Sequence, residues 1–401
     1  MSAEHRGSIK PKNPQYLRDS NRAEILRYLA TKGIASRIEI SNQLKLTKMA
    51  ISTIVTELLN ENLLEECGAI SNGPDQRTNS YSGRKPTALS IPDYRINAIG
   101  ISIFRYQIKG IAVDIKGNVF YSTEVELPAG TDNDEFVRLT TGLVEEIVKA
   151  NASTKFIGIG IASIGPVDIY KQKILNPPNF REIREVFIGE ILREHFGLPV
   201  FMDNDMNAGA LAEHLYGIAK NMRDIVYLGL GSGVGAGIIV NGRMLHGNGG
   251  FAGEIGHMSI EIDGPRCSCG RNGCLELYTN TISLLQNAGV STIEELLGAV
   301  SGEHPDEKAL QCMQKYAEAV LSALVTVVNM FDPEMVIIGD KGAYLVPPYL
   351  KKLEDDMNKL MFQNESQKIR LSISSFGESA PLIGAAASVF QRVFSSELLQ
   401  L

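Results

Sequence analysis

Three cysteines fall within eight residues, Cys267, Cys269 and Cys274, and His257 lies ten residues upstream of the first. Three thiolates and one imidazole are the donor set of a closed, tetrahedral structural zinc site. A catalytic zinc would need a position left open, and here protein would fill all four. Two carboxylates, Glu254 and Glu276, flank the cluster. The stretch 251–276 therefore reads as a zinc-braced platform that presents polar groups to a small molecule. Two further groups could take part. Asp203-Asn204-Asp205 closes a short apolar run, and Gly231-Ser-Gly-Val-Gly235 interrupts another. A glycine-rich turn can bring backbone amides to an anion, but on its own it is a weak signal.

The composition bounds what such a site can belong to. At 401 residues the chain is long enough for two or three domains. A hydrophobic content of 44% supports substantial cores. No apolar run approaches the roughly 20 residues of a membrane helix, and the first residues carry no apolar signal core. The expectation is a cytoplasmic protein with no membrane partner and with reduced thiols. Cys67 and Cys312 are isolated and read as packing residues. Residues 1–90 hold 13 Lys and Arg against 9 Asp and Glu, a net of +4, which leaves −11 in the remainder of a chain of net −7. A basic head on an acidic body suggests that the head meets a polyanion.

The head must supply that contact. Residues 1–18 are polar and contain Pro11 and Pro14, which reads as a mobile arm. Ile25, Leu26 and Leu29 have helical spacing from Asn21 to about Thr31. Ser36-Arg-Ile-Glu39 has the pattern of a capping box and opens a short helix through Leu44. Thr47 then caps a longer helix that runs to about Asn60. Three helices with a tight turn between the last two make a helix-turn-helix. Lys48, Ser52 and Thr53, or Thr56 one turn on, lie on the face that Ile51, Ile54, Val55 and Leu58 leave exposed. Together with Thr47 they are the candidate DNA contacts in this helix. Leu63 to Ala69 and Pro86 to Ile91 read as paired strands around a polar loop. Its tip, Gly83-Arg84-Lys85-Pro86, could enter a narrow minor groove. Two plainer readings stand beside these: a small helical domain that binds protein, and solvated linker charges at Arg84 and Lys85. Residues 19–92 form the expected winged helix-turn-helix domain.

The body, from residue 95, reads as alternating strands and helices in two βββαβα-like halves facing a cleft, a duplicated α/β architecture. Residues 95–205, with a C-terminal helix over about 381–401, form the first expected lobe, and 206–380 the second, which carries the zinc motif.

At this point the chain resembles the ROK family of repressors, open reading frames and sugar kinases. The likeness is to the subgroup of sugar-responsive repressors, which includes the xylose and N-acetylglucosamine repressors. The resemblance rests on Glu254 and His257, the Cys267, Cys269 and Cys274 cluster with Glu276, and Asp203-Asn204-Asp205, all in the family's order. It implies an actin-like, sugar-kinase fold behind the winged head, with ligand held between two lobes. It implies structural Zn2+ on His257, Cys267, Cys269 and Cys274, and a sugar on Asn204, Asp205, Glu254, His257 and Glu276. Asp205 matches the base that takes the hydroxyl proton in ROK kinases. The family's first phosphate loop, Gly-x-Asp-x-Gly-Gly-Thr, reads Gly100-Ile-Ser102-Ile-Phe104-Arg105-Tyr106 here. Serine replaces the aspartate, and bulky residues stand where only glycines let backbone approach phosphate. The adenosine-side Gly-Gly-Gly reads Gly339-Asp340-Lys341. The expectation is therefore no ATP use and no catalysis, with Asp205 a vestigial base. The protein is expected to be a sugar-responsive repressor of carbohydrate uptake and catabolism genes. It would bind double-stranded operator DNA as a homodimer or a dimer of dimers and answer to a small sugar effector. The alternatives are an active ATP-dependent sugar kinase with a regulatory DNA-binding head, and a repressor that reads a protein partner.

Overall fold

The computed structural model of the chain describes residues 14–69, 87–178, 180–301, 304–362 and 368–398. Its contacts divide the chain into two units. One comprises residues 1–97 with 114–118 and 390–401, and the other comprises 98–113 with 119–389.

The first unit begins with α1 (Pro14–Lys32), β1 (Ala35–Ser36), α2 (Arg37–Leu44), α3 (Lys48–Asn60), β2 (Glu65–Ala69) and β3 (Thr87–Ser90). The three strands form one sheet in the order β1-β3-β2. Ile25, Leu26, Leu29, Ile40, Ile51, Val55, Leu58 and Leu89 are fully buried and make its core. The capping box at Ser36 and Glu39 forms in both directions. Thr47 caps α3 through Ala50 N–H at 3.2 Å. The turn between α2 and α3 is held by Ser41, whose hydroxyl donates to Leu46 O at 2.7 Å, while Lys45 adopts the left-handed conformation.

Two expectations need correction here. The first helix starts at Pro14, inside the stretch 1–18 read as a mobile arm. That turn is polar because it lies on the surface, and a partner distant in sequence fixes it: Arg18 pairs with Glu57 at 2.6 Å. Cys67 is exposed on its strand rather than packed. The wing tip with Arg84 and Lys85 lies outside the described residues.

The second unit holds two five-stranded sheets. The first half runs β4 (Asn97–Ile103), β5 (Gln107–Asp114), β6 (Val119–Glu126), α4 (Asn133–Ala150), β7 (Phe156–Ser163), the short pair β8 (Val167–Asp168) and β9 (Lys173–Ile174), α5 (Ile188–Phe196), β10 (Val200–Asn204) and α6 (Asp205–Leu215). The second half runs β11 (Ile225–Leu230), β12 (Val234–Val240), β13 (Arg243–Met244), four helices α7 (Glu276–Thr279), α8 (Thr281–Ala288), α9 (Ile293–Ser301) and α10 (Glu307–Phe331), then β14 (Met335–Gly339), α11 (Gly342–Leu345), α12 (Leu350–Leu360), β15 (Arg370–Ile373) and α13 (Ala380–Phe394). The sheet orders are β10-β7-β4-β5-β6 and β13-β12-β11-β14-β15. Each half thus places its third, second, first, fourth and fifth strands side by side, so the duplication inferred from the sequence is present at the level of topology. Parallel strands lie at one side of each sheet and antiparallel hairpins at the other.

This topology puts the ends of β10, β11 and β14 where loops can carry chemistry, the usual place for ligands in α/β sheets. Helix α13 sits directly on β4 and β7 because those strands carry glycines under it. A Cβ built at Gly160 would lie 1.7 Å from Ala385 O, and one at Gly100 would lie 2.8 Å from Leu382 O. Gly100 therefore serves packing in this chain.

Candidate functional site

The loop after β13 folds back on β12. A Cβ at Gly253, which has a φ of +97°, would lie 2.0 Å from Ala236 O, and one at Gly256 would lie 2.1 Å from Val234 O. Backbone contact this close carries the turn over 254–257, with Glu254 and His257, onto the start of β12. Ala236 N–H donates to Gly253 O at 2.8 Å and locks the contact. The chain then doubles back. Ile260 N–H donates to Gly273 O at 2.8 Å, and Leu275 N–H to Met258 O at 2.9 Å. Those two bonds set Cys274 and Glu276 beside His257.

The four predicted metal ligands come together. One donor atom from each of His257, Cys267, Cys269 and Cys274 lies within 4.8 Å of all the others. Cys269 Sγ is 3.6 Å from Cys274 Sγ, and Cys267 Sγ is 3.8 Å from His257 Nδ1. A zinc–sulfur bond of about 2.3 Å gives a tetrahedral edge of about 3.8 Å, so these separations suit a metal of that size. The cluster could hold a metal, and Nδ1 is the imidazole nitrogen on its side.

The other predicted residues converge from three further elements. Asn204 caps α6, accepting from Met206 N–H at 2.8 Å. Asp205 is the first residue of that helix and accepts from the same amide at 3.0 Å. A Cβ at Gly165 would lie 3.1 Å from Asn204 Nδ2 and 3.9 Å from Glu254 Oε1, so the 165–166 turn closes one side of the group. Glu276 accepts from Val234 N–H at 3.0 Å, which ties the metal loop to the glycine-rich turn 231–235.

Sequence reasoning missed two members, His246 and Asp340. Asp203 accepts from Asn207 Nδ2 at 2.7 Å, and its other oxygen lies 2.7 Å from His246 Nε2. This pair holds the β10 end to the loop after β13. Its sequence signal, a lone histidine before Gly247-Asn-Gly-Gly250, was present but had no visible partner. Asp340 is the second. Its carboxylate is packed on Gly231, where a Cβ would lie 1.9 Å from Oδ2.

The site is rich in negative charge, and its carboxyls respond. Burial first, then Asp340 and Glu254, push the Asp205 carboxyl up to about 7 against the opposing Met206 amide. Burial and Glu378 push Asp340 up to about 6. Glu254 keeps a face open to solvent, yet lost hydration and the nearby Glu276 raise it, against the pull of His257. A raised carboxyl holds its proton more firmly in the folded state. Its stabilising effect is therefore complete below its ordinary value of 3.8 and is lost as pH climbs toward 7. Asp205→Asn, which cannot ionise, should have a higher ligand-free melting temperature than the unsubstituted chain at about pH 8. The gap should narrow as pH falls and be mostly closed near about pH 4, close to the ordinary carboxyl value of 3.8. Thermal scans at both values check this, and an equal gap at both would rule out the charge as the cause.

The residues that replace the first phosphate loop are themselves well held. Phe104, Arg105 and Tyr106 form the turn between β4 and β5. Phe104 N–H donates to Gln107 O at 2.9 Å. Arg105 donates to the Pro178 carbonyl. The Arg181 guanidinium lies 4.9 Å from the Tyr106 ring centroid. Ser102 is completely enclosed within β4.

Comparison with known proteins bears on the whole chain. The ROK family profile matches residues 98–392. A xylose repressor of Caldicellulosiruptor bescii is 30% identical over 96% of this chain and 98% of its own length. Among solved structures, a ROK family transcriptional regulator, a homologue of the Mlc protein of E. coli, superposes with a TM-score of 0.80. It shares 24% identity and covers 96% of this chain and 98% of its own. A ROK hexokinase from Thermus thermophilus superposes with a TM-score of 0.65 at 28% identity. It covers 99% of its own length but 74% of this chain.

Proposed function

The chain belongs to the ROK family, and we propose that within it this protein is a sugar-responsive repressor of carbohydrate uptake and catabolism genes. One observation carries the reading. The alignment to a xylose repressor spans head and body together, whereas the likeness to the hexokinase covers only 74% of the chain. A head of three helices, the second and third capped by Ser36 and Thr47, with a small sheet and with Lys48, Ser52 and Thr53 exposed on α3, supports its use as a helix-turn-helix on operator DNA. Arg84 and Lys85 would extend that contact into the minor groove. A homodimer or a dimer of dimers would match a two-fold operator.

The sugar would be held by Asn204, Asp205, Glu254, His257 and Glu276. A sugar offers hydroxyls that both donate and accept. Three carboxylates, an amide and an imidazole could satisfy several at once, and such a site discriminates strongly against a ligand lacking one of them. Structural Zn2+ on His257 Nδ1, Cys267, Cys269 and Cys274 would fix the loop, and Nε2 of the same imidazole would remain for a hydroxyl. Sugar and metal loop would then be coupled through one ring. Xylose is the first sugar to try, by likeness to the Caldicellulosiruptor repressor.

A kinase is the second reading, favoured by Asp205 at the start of α6 and by the hexokinase fold likeness. Three features weigh against it. Phe104, Arg105 and Tyr106 put bulky side chains where glycines would let backbone approach phosphate. The Asp340 carboxylate sits on Gly231. Glu276 already occupies the Val234 amide in the glycine-rich turn. Phosphoryl transfer needs those amides and a counter-charge, and these carboxylates supply the opposite. The test uses the full chain. DNA duplexes it selects from a random library should be released by one sugar, and the same sugar should cause no ATP turnover. Turnover that Asp205→Asn abolishes would make the kinase the better reading.

A further inference from the structure

Helix α3 has one apolar residue where a polar face would be expected. Met49, the second residue of the helix, is 81% exposed. Its neighbours on that face, Lys48, Ser52, Thr53 and Thr56, are exposed too, while Ile51, Ile54, Val55 and Leu58 fill the opposite side. The threonines are less polar than they look. Thr53 Oγ1 donates to Met49 O at 3.1 Å, and Thr56 Oγ1 donates to Ser52 O at 2.8 Å. Their hydroxyl protons are engaged on the helix backbone, so they meet a partner as acceptors and methyl groups and not as donors. The face is therefore cationic at its N-terminal edge, through Lys48, and apolar across Met49 and the threonine methyls.

A DNA major groove offers one apolar group at its floor, the 5-methyl of thymine. Every other base-edge group there is a hydrogen-bond donor or acceptor. Met49 has no hydrogen bond to give and a flexible, polarisable side chain that adapts to small apolar groups. We propose that Met49 is a specificity-determining residue that reads thymine methyl groups in each operator half-site, with Thr53 beside it. The inference rests on the reading that the head binds operator DNA. It adds that the chain discriminates thymine from the other bases through a methyl contact and not through a hydrogen bond.

The experiment isolates that methyl. The full chain first selects its duplex from a random-sequence library. Each thymine of one half-site is then replaced by deoxyuridine, which removes the methyl and leaves base pairing intact. Affinities are measured by fluorescence anisotropy at fixed salt, for the unsubstituted chain and for Met49→Ala. The exposed position and the high helix propensity of alanine leave the fold intact, and circular dichroism checks it. At one or two thymines the unsubstituted chain should lose about fourfold in affinity per methyl removed, the burial of one methyl group. Met49→Ala should bind the thymine duplex more weakly and be indifferent to deoxyuridine at those same positions. Met49→Leu should restore the sensitivity. Two results would each overturn the inference while leaving operator binding intact: no loss at any thymine, or an equal loss in Met49→Ala. A chain that selects no sequence at all would overturn the DNA-binding reading as well.

Discussion

Cys274→Ser is expected to empty the proposed zinc site and to abolish measurable sugar binding in the same variant. Cys274 is completely buried, and its sulfur lies 3.6 Å from Cys269 Sγ and 3.6 Å from the His257 carbonyl. It also forms the bridge to Ser259 that brings the two ends of the loop together. Serine is a poor zinc ligand at neutral pH, and with three donors left the metal loses both affinity and geometry. Two of the proposed sugar residues stand on either side of this residue. His257 would share the metal, and Glu276 follows two positions later. Losing a metal-orienting contact alone lowers affinity or activity by about 10- to 100-fold in comparable sites, and here two proposed sugar ligands would lose their support together. Metal analysis should fall from one zinc per chain to nearly none, and calorimetry with sugar should lose its signal. Cys269→Ser removes an exposed ligand with little loss of packing and should do the same, which separates metal loss from a core defect. Full zinc occupancy in both variants, or sugar binding that survives zinc loss, would refute the coupling.

Glu276→Ala should be nearly as damaging while leaving the zinc in place. Glu276 is outside the ligand set, so metal content should stay at one per chain. Its carboxylate holds the Val234 amide at 3.0 Å and so fixes the glycine-rich turn against the metal loop. Alanine leaves that amide unpaired, which costs about 1–3 kcal/mol, and removes a charged acceptor for a sugar hydroxyl, worth about 1.5–3 kcal/mol. The first cost falls on stability with or without sugar, so sugar affinity should drop mainly by the second, about 10- to 100-fold. Glu276→Gln keeps an oxygen for Val234 N–H and should lose only the charge, about tenfold. Titration calorimetry on the two variants, with zinc analysis beside it, tests the ranking. Equal losses in both would mean that the amide contact contributes nothing. Unchanged affinity in Glu276→Ala would remove this residue from the site.

What the sequence made legible was mostly local. The capping box at Ser36 and Glu39 obeys a rule written within four residues, and the structure forms it. Thr47 caps α3 for the same reason. The repeated strand and helix pattern announced a duplicated fold, and each half has the same strand order. The metal cluster was legible because three of its four members sit within eight residues. What sequence pattern hid was pairing at long range. The polar turn at the start of α1 looked like a mobile arm because its partner, Glu57, lies 39 residues away. His246 was invisible as a site residue because Asp203 lies 43 residues upstream. Asp340 read as a damaged glycine motif, and only the fold shows its carboxylate lodged on Gly231. Glu276 was expected at the site, but its hold on the glycine-rich turn depends on a contact 42 residues away in sequence. Periodicity and capping report what a segment will form; they carry no information on which loops two sheets bring together.

The central claim is that a sugar bound in the body changes the hold of the head on DNA. A ligand can move that equilibrium only by its differential affinity for the DNA-bound and free states. The direct measurement is fluorescence anisotropy of a labelled duplex selected by the full, zinc-loaded chain, titrated with xylose and then with other pentoses, hexoses and N-acetyl sugars. One sugar should weaken DNA binding by about tenfold or more, equivalent to about 1.4 kcal/mol of coupling. The same sugar should leave DNA binding unchanged in Glu276→Ala. A sugar that binds the chain by calorimetry yet leaves its affinity for the duplex unaltered would contradict the account.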